Sequence, residues 1–166
     1  RDWGINSASY GFLDLLDENT WDLLFQHQPK KVILLSWPGL PNYSQNHHMH
    51  INLLHSMKLI SRLVEIKVEK IVVSGTCYEY GRQEGRLLED LFSEPNTKYG
   101  LAKDTLRRYL ELTCRNTYTS FSWLRIFFPY ADNSPRDTLY SSLVKAIHNN
   151  DERFALSSGT QIRDFI

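Results

Sequence analysis

Tyr99 and Lys103 stand four residues apart in the stretch Lys98-Tyr99-Gly100-Leu101-Ala102-Lys103. On a helix that spacing places both side chains on one face, about a turn apart. An ammonium beside a phenol favours the phenolate, so the pair predicts a tyrosine with a lowered pKa that trades a proton with an alcohol or a carbonyl. Upstream, Thr76 closes an apolar run, where its hydroxyl can share a hydrogen bond with the same substrate oxygen. Taken alone, Tyr-x-x-x-Lys is met in any helix by chance. Its setting is more specific: a strand ends in Ser-Gly-Thr, a Tyr-Gly loop follows, and the pair opens the next helix.

Other reactive side chains fit blander roles. His47, His48 and His50 lie at a helix start with no matched carboxylate, which predicts a solvated helix end rather than a metal site. Cys77 has no histidine near it in sequence, and neither Cys77 nor Cys114 has zinc-ligand spacing. Both read as reduced packing residues, which predicts a cytoplasmic protein. Trp37 and Tyr43 suit two roles equally, a substrate platform or packing of a loop over a sheet. Phe127 and Phe128 alternate in a strand, which sends one to the core and leaves Phe128 to face a pocket.

These residues need elements to hold them. Trp21, Leu24 and Phe25 recur at helical spacing over about 17–28, with Asp17 as N-cap. Residues 32–35 form a continuous apolar run, apolar on both faces, which belongs in the middle of a parallel sheet. Pro38, Gly39 and Pro41 force a loop, and a long helix is predicted over about 47–65. A second buried strand at 71–73 stops at Ser74-Gly75-Thr76, and a loop holding Gly81, Gly85 and Pro95 leads to a helix over about 99–115. A third strand covers 122–128, a further amphipathic helix about 138–148, and a short strand and loop the segment from Phe154. Strands alternating with helices require crossovers, hence an α/β parallel sheet with helices on both faces. Ligands of such sheets sit at the carboxyl ends of the strands, here Ser36-Trp37, Ser74-Gly75-Thr76 and Phe128-Pro129-Tyr130.

Composition narrows the partners. The 166 residues carry 19 Lys+Arg against 19 Asp+Glu, with 42% hydrophobic and 13% aromatic residues, as in one globular unit and unlike a disordered tail. Charge balance removes the general electrostatic case for nucleic acid or an anionic membrane. Arg82, Arg86, Arg107 and Arg108 are interspersed with Glu84, Asp104 and Glu111, a solvated pattern rather than a nucleic-acid patch. No apolar run approaches the roughly 18–20 residues that span a bilayer, and no basic-then-apolar leader opens the chain.

The order Ser74-Gly75-Thr76-Cys77-Tyr78-Glu79-Tyr80-Gly81, Pro95-Asn96-Thr97-Lys98-Tyr99-Gly100-Leu101-Ala102-Lys103, Leu124-Arg125-Ile126-Phe127 and Arg163-Asp164-Phe165-Ile166 resembles the extended short-chain dehydrogenase/reductase family of nucleotide-sugar epimerases, dehydratases and reductases. Residues 37–43 and the Ser-Gly-Thr-Cys-Tyr-Glu-Tyr-Gly motif further resemble a bacterial branch that acts in surface-polysaccharide synthesis. The resemblance covers nearly the whole chain and implies a Rossmann-type sheet, NAD or NADP as cofactor and a nucleotide-sugar substrate. It makes Tyr99 the proton carrier, Lys103 its partner and a ribose ligand, and Thr76 the hydroxyl that orients the substrate. Asp14 and Leu15 would lie by the adenine, Leu35, Ser36 and Trp37 by the ribose and diphosphate, and Asn52 would steady the site. Ser74 and Pro129 would border the nicotinamide. Thr76, Cys77, Tyr78 and Phe128 would face the sugar, and the Arg163 guanidinium would meet the substrate's diphosphate. A homodimer through the helices at about 47–65 and 99–115 is implied as well.

Departures from the family pattern are informative. No G-x-x-G-x-x-G or G-x-G-x-x-G occurs, so the chain reads as starting after the family's first strand-helix unit, and its ends, Arg1 and Phe165-Ile166, read as cut from something longer. The expectation is one partial cofactor-binding domain over 1–166, with about 137–166 beginning the substrate-binding part. Sugar dehydratases of the family carry Asp-Glu directly after the threonine. Cys77 and Tyr78 stand there instead, which disfavours dehydration and points to an epimerase or a 4-keto reductase. Phe128 replaces the asparagine with which many members contact the sugar nucleotide. The rival reading, from the absent phosphate loop, is a degenerate relative that serves as a binding or assembly module.

Overall fold

The computed structural model describes residues 13–130, 138–160, 162, 164 and 165. The chain divides into two compact units, Arg1–Arg125 and Ile126–Ile166.

In the first unit the Asp17 carboxylate accepts from the Asn19 N–H and starts a 3-10 turn, Glu18–Trp21, that runs into a short helix α1, Asp22–Gln26. Strand β1 (Lys31–Leu34) follows, then the loop with Pro38 and Gly39. A π-helical turn, His48–Asn52, leads into α2 (Leu53–Glu65). Strand β2 (Lys70–Thr76) ends in a 3-10 turn, Cys77–Glu79; a long loop then leads to α3 (Lys98–Cys114) and β3 (Ser120–Ile126). The sheet order is β1-β2-β3, with β1 and β2 parallel and Val32 opposite Ile71. β2 is therefore central, and its carboxyl end delivers Thr76. Helix α3 packs on both α2 and β2. One apolar core gathers Trp21 from the first turn, Val32, Ile71 and Val73 from the sheet, Leu59, Ile60 and Leu63 from α2, and Ala102, Leu106 and Leu110 from α3.

Every expected element of this unit is present, with shifted ends. β2 runs longer than expected because Ser74, Gly75 and Thr76 continue the extended backbone. β1 departs from expectation: Ile33 and Leu35 are each 65% exposed. The strand stands at the edge of the three-stranded order, and while Val32 and Leu34 on one face pack into the core, Ile33 and Leu35 on the other border an open cavity.

In the second unit, Phe128 and Phe165 form an isolated parallel bridge, with the Phe128 N–H bonded to the Asp164 carbonyl. Phe127 and Phe128 thus lie past the end of β3 rather than within it, since the ladder stops at Ile126. Helix α4 (Leu139–His148) is capped by Thr138, whose hydroxyl accepts from the Ser141 N–H. The expected strand from Phe154 is absent: Ala155 and Leu156 are exposed, with no ladder partner among the described residues. Among the described residues no helix is long and apolar enough to cross a membrane.

Core burial makes a direct prediction. Leu63 is fully buried and Leu23 half exposed, so Leu63→Ala is expected to cost about 2–5 kcal/mol of stability and Leu23→Ala within about 0.5 kcal/mol. Urea denaturation of the two variants checks the contrast.

Candidate active site

Thr76 stops β2 and caps the turn after it. Its hydroxyl accepts from the Tyr78 N–H at 3.3 Å, while its own N–H donates to Oε1 of Glu79 at 2.8 Å, a reciprocal box that fixes the end of the strand. Tyr99 opens α3 beside it: Thr97 caps that helix by accepting from Gly100, and the Tyr99 N–H donates to the Tyr43 carbonyl at 3.0 Å. The Thr76 side chain lies close enough to the Tyr99 phenol to favour its ionised form. Lys103, 2% exposed, turns its amine to the Ser74 carbonyl at 2.8 Å and over the Trp37 ring, 4.1 Å from its centre. The expected trio is thereby brought together at the carboxyl end of the central strand.

The electrostatics run opposite to the sequence expectation. Burial raises the Tyr99 phenol above its ordinary value, and the Thr76 side chain opposes this without overcoming it. Burial likewise drives the Lys103 amine down to about 7, despite the pull of the Glu79 charge. A desolvated amine facing a carbonyl and an indole is a weak source of positive potential, so it leaves Tyr99 in the phenol form.

The surrounding loop is aromatic. The Trp37 indole N–H donates to Nδ1 of His48 at 3.1 Å, and Nε2 of His48 lies 2.7 Å from the Asn42 carbonyl, which fixes the proton on Nε2. His48 is fully buried and its pKa is lowered, burial being the main cause. This corrects the expectation of a solvated helix end: the π-helical turn swings His48 inward while His50 stays exposed. Trp37 proves to be packing, buried against His48 and Tyr99, whereas Tyr43 is half-buried and stacked on Tyr78 at 4.5 Å. Cys114 is buried as expected; Cys77 is half-buried in the turn after Thr76.

A cavity of about 280 Å³ opens beside this cluster, lined among others by Leu15, Leu35, Ser36, Trp37 and Lys103. Five residues expected at a dinucleotide thus border one space, with a nearly buried amine in its wall, a donor set that fits a ribose and an apolar ring. Other expected cofactor residues are occupied locally. The Asp14 carboxylate accepts from the Leu16 N–H, and Ser74 Oγ donates to the Leu34 carbonyl. Asn52 donates to the Pro38 carbonyl at 2.8 Å and keeps a buried Oδ1 without a partner among the described residues. Pro129 and Phe128 belong to the second unit, and Arg163 lies outside the described residues.

Sequence reasoning passed over the carboxylate beneath Thr76. Glu79 has no solvent exposure; besides the Thr76 N–H it accepts from Trp123 Nε1 through both oxygens at 3.0 Å and from Arg125 Nε at 2.9 Å. The signal was present, since Thr76-x-x-Glu79 is capping-box spacing and Trp123 and Arg125 alternate on one strand face.

A central strand ending in a threonine that meets a Tyr-x-x-x-Lys helix places the molecule among the Rossmann-type extended short-chain dehydrogenase/reductases. Residues 5–166 match the NAD dependent epimerase/dehydratase family, and the chain belongs to that family. It is 25% identical over 155 residues to a dTDP-6-deoxy-L-talose 4-dehydrogenase (NAD(+)) of Aggregatibacter actinomycetemcomitans, a match covering 87% of this chain and 57% of that protein. In fold it is similar to the UDP-glucose 4-epimerase of Thermotoga maritima, with a TM-score of 0.76 at 19% identity over 93% of this chain and 53% of the other. It is also similar to a UDP-N-acetylglucosamine 4-epimerase of Methanobrevibacter ruminantium, with a TM-score of 0.72 at 22% identity over 93% and 52%. The chain spans about half the length of the relatives it matches.

The Lys103 amine predicts a pH signature. With a folded pKa of about 7 against an ordinary 10.5, the unfolded chain holds more protons between those values, so this group's contribution to stability rises with pH across that window. Lys103→Met is expected to be stabilising near pH 6.5, relative to the wild type, and to lose that advantage toward pH 9. Urea midpoints at several pH values read the difference; a gap that stays constant from pH 6.5 to 9 contradicts the lowered amine.

Proposed function

We propose that the protein carrying this chain is an NAD-dependent nucleotide-sugar epimerase or 4-keto reductase, with Tyr99 as general acid and base. The observation that carries this reading is Tyr99 standing next to Thr76 at the carboxyl end of the central strand, with the nearly buried Lys103 amine on the Ser74 carbonyl one turn further along the same helix. A bound nicotinamide supplies or accepts hydride at the sugar carbon. Tyr99 handles the accompanying proton, giving it to the oxygen of a ketone on reduction and taking it from a hydroxyl on oxidation. Its raised pKa keeps the phenol protonated at neutral pH, which suits the reducing direction. Thr76 donates to the same oxygen and holds it within reach of Tyr99. Lys103 offers its amine to a ribose hydroxyl in the cavity and, once protonated, lowers the cost of a phenolate.

Asp14, Leu15, Leu35, Ser36, Trp37, Asn52 and Ser74 complete the proposed cofactor site in the first unit, and Cys77 and Tyr78 the proposed sugar side; Pro129, Phe128 and Arg163 are proposed ligand contacts on the family resemblance alone. In this reading residues 137–166 begin the substrate-binding part. Dehydration is disfavoured because Cys77 and Tyr78 follow Thr76, and the nearby Glu79 carboxylate is engaged by Trp123 and Arg125.

The decisive experiment uses the full-length natural protein with NADH and a panel of 4-keto nucleotide sugars. Tyr99→Phe is expected to lower kcat by about 10²–10⁴ with KM nearly unchanged, and Lys103→Ala to weaken NADH binding in a fluorescence titration. Turnover retained in Tyr99→Phe would reject Tyr99 as the proton carrier. Saturable cofactor binding without turnover on any sugar would favour a binding module. We also read α2 and α3 as the contact between two copies, since Leu54, Leu101 and Leu112 are exposed on them. Light scattering of the full-length protein is then expected to give twice the monomer mass, and a monomer at micromolar concentration contradicts that assembly.

A further inference from the structure

Glu79 is a fully buried carboxylate to which the proposed chemistry gives no role. Its partners come from three parts of the first unit. The Thr76 N–H donates to Oε1 at 2.8 Å, the Trp123 indole N–H is shared between both oxygens, and Arg125 Nε reaches Oε2 at 2.9 Å. Arg107 of α3, Nε at 4.0 Å, adds a second cation and passes to Asp104 at 2.9 Å. Burial pushes the Asp104 carboxyl up, and hydrogen bonds from Arg108, Arg107 and Ser93 outweigh it, leaving the group below the usual carboxylate value.

The same network holds the loop that joins Thr76 to Tyr99. Arg125 donates through Nη1 to the Tyr80 hydroxyl at 3.0 Å and the Glu89 carbonyl at 2.9 Å, and through Nη2 to Ser93 Oγ at 3.3 Å. The Tyr80 hydroxyl donates in turn to the Leu88 carbonyl, and the Glu94 N–H donates to the Glu79 carbonyl. Two glycines make room for this. A Cβ at Gly75 would collide with Trp123 Nε1 and the Glu79 carboxylate, and one at Gly81, where φ is +73°, would collide with the Glu94 carbonyl. The chain thus spends a glycine in the central strand so that an indole and a carboxylate can meet directly behind Thr76.

We propose that Glu79 is a positioning residue that sets the Thr76 hydroxyl against Tyr99, through the Thr76 N–H on one side and Trp123 and Arg125 on the other. A carboxylate is suited to this because it only accepts, and every group facing it donates. Substitution by glutamine turns two donors toward Trp123 or Arg125, while substitution by aspartate keeps the charge and shortens the reach to Thr76. The acting path is Glu79 to Thr76 to the reacting oxygen, so the effect belongs to the chemical step and not to cofactor binding.

This proposal rests on the reading of Tyr99 as the proton carrier, and Tyr99→Phe separates the two. In the full-length natural protein, with NADH and the 4-keto nucleotide sugar it turns over, Glu79→Gln and Glu79→Asp are expected to lower kcat at least tenfold. KM and the NADH dissociation constant should stay within about twofold in both. In a Thr76→Ala background the same changes are expected to cost less than twofold more, since the group they act through is gone. If Tyr99→Phe retains activity, the proton-carrier reading falls and this inference falls with it. If Tyr99→Phe is inactive but both Glu79 variants keep the wild-type kcat, or if their losses multiply with that of Thr76→Ala, the positioning role alone is overturned. Loss of the fold in both Glu79 variants, followed by circular dichroism and thermal melting, assigns Glu79 to stability and overturns it equally.

Discussion

A carboxylate shut away from water must be neutralised where it sits, and in this protein that requirement organises the neighbourhood of the site. Glu79 draws an arginine and a tryptophan from β3, a backbone N–H from the end of β2 and a second arginine from α3. Removing one partner from such a set leaves a buried charge without compensation, which is far more costly than the set is stabilising. The arrangement is therefore better understood as a constraint on geometry than as a source of stability. It permits one relation between the end of the central strand and the start of α3, and those are the two places from which Thr76 and Tyr99 project.

Much of the fold was legible because hydrophobic periodicity reports burial. The runs at 32–35 and 71–73 became β1 and β2, and the helical spacing over 47–65 and 99–115 became the π-helical turn with α2, and α3. Periodicity could not report that one face of β1 stays open, because a run apolar on both faces looks the same whether or not the second face is covered, and Ile33 and Leu35 are exposed. Nor could it foresee the inward turn of His48. Nothing in the spacing of the three histidines specifies which of them faces the core.

The site was legible in its members and not in its electrostatics. Four-residue spacing brought Tyr99 and Lys103 to one end of α3, and a strand-ending threonine met them. Spacing says nothing about desolvation, however, and desolvation decides both titrations. Trp37, Tyr43, Tyr78 and His48 crowd Tyr99 with rings 5.4–6.0 Å from its own, so the pair that sequence reads as ammonium and near-phenolate is held closer to amine and phenol. Glu79 escaped notice for a related reason: a T-x-x-E box normally signals a solvated cap, and only the fold reveals two aromatic and cationic strand residues closing over it.

These two facts bear on each other. A raised phenol is held neutral at neutral pH, whereas an amine lowered to about 7 is poised there, so small changes in local potential shift the protonation of Lys103 and not that of Tyr99. The Glu79 charge favours the protonated lysine and disfavours the phenolate. Its field acts on both partners in the direction that keeps a proton available for delivery. Arg125 at 2.9 Å and Arg107 at 4.0 Å oppose that field, and the Thr76 N–H bond ties the same carboxylate to the end of the strand. Geometry, held by a compensated ion cluster, is then what the chain contributes to proton transfer, while the driving potential is left to whatever fills the cavity beside Lys103.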